Sequence, residues 1–95
     1  MKALELARVV FVVDKLKKIS RSVGRLDCQS CNGFRTEREG ARAERRVYKL
    51  LNEARELGKE LGFYVYHQSD PRGCSLYLLD SEKDKEQYNR GMALC

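Results

Sequence analysis

Apolar positions recur every three or four residues over the first third of the chain. Leu16, Ile19, Val23 and Leu26, followed by Ser30 and Cys31, make one stripe, and Leu6, Val9 and Val13 carry it back toward the N-terminus. This period predicts an amphipathic helix from Met1 to about Asn32. Val10, Phe11 and Val12 make its first half apolar on nearly every side, and the β-branched run Val9–Val13 would also suit a strand. Helix is the better reading because the stripe runs through without a break and no turn residue separates Val13 from Leu16. A helical segment apolar all round should be covered from more than one side. Gly24 weakens the helix locally, and Asn32-Gly33 supplies its stop.

Thr36-Glu37-Arg38-Glu39 has the S/T-x-x-E form of a capping box and opens a second helix. Val47, Leu50, Leu51, Ala54, Leu57 and Leu61 give it an apolar stripe, with Glu53, Arg55, Glu56, Lys59 and Glu60 outside and Gly62 as terminator. The predicted span is 36–62. The connection is short, so the two helices must lie antiparallel, as arms of similar length.

At Phe63 the period changes to two. Two β-type runs flank Asp70-Pro71-Arg72-Gly73, which has the residues of a type I turn and predicts a β-hairpin. Phe63, Val65, His67, Cys74, Leu76 and Leu78 share one face, expected to pack on the helices over Val9–Val13. Tyr64, Tyr66, Gln68, Ser75, Tyr77 and Leu79 share the outer face. Residues 80–87 read as a polar loop. Met92–Cys95 returns as a short third strand with Tyr88 as its anchor, because a two-stranded ribbon is marginal alone. The expected fold is α+β: one domain over 1–95, with a two-helix antiparallel hairpin packed on a small antiparallel sheet of two or three strands.

Ninety-five residues hold one modest core. With 42% apolar and 35% charged residues the composition is globular rather than disordered. The five-residue apolar run Val9–Val13 is too short for a membrane span and lacks the flanks of a signal peptide, so a cytosolic location is expected. There the four cysteines, Cys28, Cys31, Cys74 and Cys95, are expected to be reduced thiols.

Charge sharpens the functional question. The net charge is +5, but residues 15–49 hold eleven Lys and Arg against four acids, a net +7 that leaves −2 for the remainder. A polarised basic region attracts polyanions, although solvated helix faces account for such charge equally well. Arg38, Arg42, Arg45 and Arg46 are the candidate contacts within it. Tyr64, Tyr66 and Tyr77 on the outer sheet face have the character of a base-stacking platform, and Arg72 beside Asp70 at the hairpin tip suits a phosphate or a partner carboxylate.

Two chemical constellations are weaker. Cys28-Gln29-Ser30-Cys31 is half of a zinc site, but no second C-x-x-C or H-x₃-H accompanies it. A Cys31/His67 pair would place the thiol at a helix C-terminus, where the dipole disfavours a thiolate, and His67 reads as a hydrogen-bonded inner-face residue. No catalytic residue, metal or cofactor is therefore expected.

Cys31-Asn32-Gly33 at the end of a first helix, a charged second helix, and Gln68-Ser69-Asp70-Pro71-Arg72-Gly73 before an apolar strand together resemble a family of small bacteriophage and prophage proteins of unknown function. The resemblance covers residues 16–79, with Ser69 where the pattern has glycine. It implies a non-enzymatic accessory protein in the cytoplasm of an infected bacterium. Such a protein would act by binding a host protein, for example a defence nuclease or another nucleic-acid-handling enzyme. Direct nucleic-acid binding is the alternative, and an uncovered Val10–Val12 would also invite a homodimer.

Overall fold

A computed structural model describes residues 2–68 and 75–94, without the side chains of residues 31, 32, 89 and 90. The hairpin tip, with Asp70 and Arg72, and also Cys74 and Cys95, lies outside the described residues.

Helix α1 spans Ala3–Asn32 and α2 spans Glu37–Glu60. The Val9–Val13 run is helical throughout. Thr36 caps α2: its Oγ1 accepts the Glu39 amide at 3.1 Å. Gly33 and Gly62 end the helices with φ of 82° and 78°, a region that side-chain-bearing residues rarely adopt. Strands β1 (Tyr64–His67), β2 (Leu76–Leu79) and β3 (Met92–Leu94) form an antiparallel sheet in the order β1-β2-β3. Val65 pairs with Leu78 and His67 with Leu76, so the inner and outer sets follow the expected alternation across the hairpin. This is the expected α+β arrangement of a helix pair on a small sheet.

The core is built from one face of each element. Val12, Leu16, Ile19 and Val23 of α1 meet Leu51 and Ala54 of α2 and Val65, Leu76, Leu78 and Leu94 of the sheet. The Ser20 hydroxyl, fully buried, donates to the Leu94 carbonyl and ties β3 to α1. Gly58 marks the tightest approach of α2 to β1: a Cβ built there would lie 2.6 Å from Val65 Cγ2 and 3.2 Å from the Phe63 carbonyl. Glycine lowers helix propensity, but the packing requires it here.

Six expectations need correction. The helices are not equal arms: at 1.5 Å per residue, 30 residues give about 45 Å and 24 give about 36 Å. Glu60, the last residue of α2, pairs with Arg8 at 2.9 Å, so α1 before Arg8 projects past its neighbour. The start of α1 is consequently not covered on several sides. Val12 is buried, Val9 and Val13 are half-buried, and Leu4, Leu6, Val10 and Phe11 are exposed. Phe63 is also exposed, because it still belongs to the turn before β1, with its N–H bonded back to the Gly58 carbonyl at 3.0 Å.

The polar loop at 80–87 is replaced by a 3₁₀ segment, Glu82–Arg90, kinked at Gln87. That segment covers part of the outer sheet face. Leu79, expected outside, is buried beneath Gly91. Ser75, also expected outside, sits just before β2 and turns inward to α1, fully buried.

Candidate functional site

Spacing places the basic residues of α2. Arg38, Arg42, Arg45 and Lys49 follow one another by four, three and four, which sets them in one row along the helix, with Arg46 one turn beyond Arg42. All five are exposed, while the opposite face of the same stretch carries the half-buried Gly40, Ala43, Val47 and Leu50. The row therefore points away from the protein over about 16 Å. The acids Glu37, Glu39 and Glu44 fall outside it. Cations that served only to solvate the helix faces would circle both helices. In α2 they instead gather on one side, because the apolar stripe commits the other side to the core.

The distribution of ion pairs reinforces that segregation. In the second half of α2, Glu53 meets Lys15 at 3.2 Å, Glu56 meets Lys59 at 3.4 Å and Glu60 meets Arg8 at 2.9 Å. Arg38, Arg42, Arg45, Arg46 and Lys49 make no ion pair or hydrogen bond with any described residue. Tyr48, 67% exposed, stands beside them. The acids Glu53, Glu56 and Glu60 are thus paired at one end of the helical hairpin, and at the other the guanidinium groups have no partner among the described residues. Guanidinium forks match phosphate and carboxylate oxygens in pairs.

The tyrosine face is placed differently. Tyr88 from the 3₁₀ segment stacks on Tyr66, with ring centres 5.2 Å apart, and meets Tyr77 edge-on at 5.1 Å. The Tyr66 hydroxyl donates to the Gln68 side chain at 3.0 Å. Tyr64, Tyr66 and Tyr77 are each half-buried. Their rings serve the packing of the return segment, as the expected anchoring role of Tyr88 implies, and do not form an open platform for bases.

A polar cluster that spacing did not reveal joins α1 to the hairpin. Asp27, 8% exposed, accepts the Ser75 hydroxyl at 2.8 Å and the His67 Nε2–H at 3.1 Å, both on Oδ2. His67 is thus the hydrogen-bonded inner-face histidine that was expected. In a nucleophilic triad the histidine would stand between the hydroxyl and the acid. Here both groups share one carboxylate oxygen, which suits a structural clamp. The signal available beforehand was a lone aspartate among the inward-facing positions of α1.

Cys28 is an exposed free thiol, and the Cys31 side chain lies outside the described residues. Among the described residues no three His, Cys, Asp or Glu side chains gather as metal ligands. No described helix is long and apolar enough to cross a membrane. No family model matches the chain, and no curated protein or solved structure matches it.

Proposed function

We propose that this protein acts by binding rather than catalysis, and that the outward row Arg38, Arg42, Arg45, Arg46 and Lys49 of α2 takes the phosphate backbone of a nucleic-acid duplex. The observation carrying this reading is the single-sign row itself: five exposed cations on one side of α2 with no partner among the described residues, whereas Glu53, Glu56 and Glu60 farther along the helix are each paired. Phosphate contacts fix a protein on a duplex without reading its sequence. With Tyr66 and Tyr77 under Tyr88, base stacking adds little, so duplex is favoured over single strand.

The alternative partner, a protein of an infected bacterial host, finds its support in the exposed apolar start of α1. The basic row does not add to it where the partner is a nuclease, since a nucleic-acid channel is itself cationic and repels such a row. An acidic protein surface would be required instead.

Titration of fluorescein-labelled duplex and single-stranded oligonucleotides of random sequence tests the proposal. Micromolar binding to the duplex at low salt, stronger than to the single strand and insensitive to sequence, is expected. Absence of duplex binding at low salt refutes it.

A further inference from the structure

Helix α1 carries two apolar seams, and only one has a partner among the described residues. Val9, Val12, Leu16, Ile19, Val23 and Leu26 advance by three and four and face α2 and the sheet, with the middle four buried. Ala3, Leu6, Val10 and Val13 also advance by three, four and three, on a different side of the helix. Leu6 is 54% and Val10 61% exposed. Val13 forms a wall of a groove of about 770 Å³ between α1 and the sheet, which Leu61, Phe63, Leu78 and Met92 also line. The seam and the groove are therefore adjacent on one face, a ridge beside a hollow. A two-fold partner fills each hollow with the other's ridge, because an isologous contact presents the same patch twice.

We propose that this face is a homodimer interface, in which α1 pairs antiparallel with α1 of a second copy across Val10. The polar residues favour both the occupant and the orientation. The next seam position after Val13 is Lys17. Parallel pairing would set Lys17 against its own copy, whereas antiparallel pairing sets it over the small Ala3 and sets Asp14 beside Ala7. The acidic edge of the groove, Asp80 and Asp84, has the sign opposite to that seam lysine. The basic row of α2 lies outside this face, so dimerisation would give one particle two separated cationic rows.

Sedimentation equilibrium of the full chain tests the proposal. A reversible dimer at micromolar concentration is expected. Val10→Glu is expected to weaken it roughly a hundredfold by placing two carboxylates across the axis. Val10 is exposed in the single chain, so an unchanged helical circular dichroism spectrum confirms that the variant folds. A wild-type monomer over the whole concentration range overturns the proposal and leaves the seam to a different protein. So does a dimer indifferent to Val10→Glu.

Orientation is read from mild oxidation, with the linked peptides identified by mass spectrometry. Val10→Cys is expected to link to itself, whereas Leu6→Cys, about 12 Å from its own copy in the antiparallel arrangement, is not. Efficient self-linkage of Leu6→Cys overturns the antiparallel pairing.

Discussion

Replacing Asp27 by Ala should unlock α1 from the hairpin, and the structure sets the scale. The substitution removes the acceptor for two donors with different surroundings. Ser75 is fully buried, and its hydroxyl would be left without a partner, which costs about 1–3 kcal/mol. The His67 side chain is 22% exposed, so water can take over part of its contact and its loss adds less. About 2 kcal/mol in total is expected. For a domain of this size that corresponds to a fall in melting temperature of roughly 8–16 °C.

The clamp predicts more than destabilisation. If an orphaned hydroxyl is the main cost, Ser75→Ala in the Asp27→Ala background should recover part of it. The double-mutant cycle, measured by urea unfolding, should give a coupling of about 1–2 kcal/mol between the two positions. Additive single effects, or an Asp27→Ala variant within about 0.5 kcal/mol of wild type, would refute the clamp.

Other positions can be tested in the same way. Gly58→Ala should destabilise by about 1–3 kcal/mol through overpacking, since its Cβ would meet Val65 Cγ2 at 2.6 Å, and thermal unfolding reads the loss. Because Gly is the poorer helix former, a stabilised Gly58→Ala would contradict the close approach. Tyr88→Ala should remove both ring contacts at about 0.5–1.5 kcal/mol each, and faster amide exchange in β3 should report the loosened return segment. Thr36→Ala should cost about 1 kcal/mol by removing the cap on the Glu39 amide, whereas Thr36→Ser should not, by the same unfolding measurement.

The parts of the fold that periodicity governs were open to reading from sequence. The 3–4 spacing from Leu16 to Leu26, the Thr36 cap and the period-two run from Tyr64 each correspond to the element they predicted. Properties that depend on what lies beside an element were not legible. The six extra residues of α1 leave Leu4 and Leu6 uncovered: the helix bounds followed from the sequence to within two residues, but what lies beside each end did not. Leu79 and Ser75 are buried rather than exposed because a 3₁₀ segment and α1, both outside the hairpin, supply their surroundings. At the candidate site, charge density along residues 15–49 was visible at once. Its confinement to one side of α2 emerges once the apolar stripe is set against the core and the acids of the second half are seen to be paired.

The salt dependence of duplex binding tests polyanion recognition by α2 most directly. Five cations on phosphates predict a slope of log affinity against log salt of about −4 to −5, a loss of roughly 500-fold between 50 and 200 mM salt. The double variant Arg42→Ala/Arg45→Ala, both at exposed positions, should retain the fold and flatten that slope by about 2. An unchanged slope in the double variant would contradict the assignment and move the binding surface away from α2.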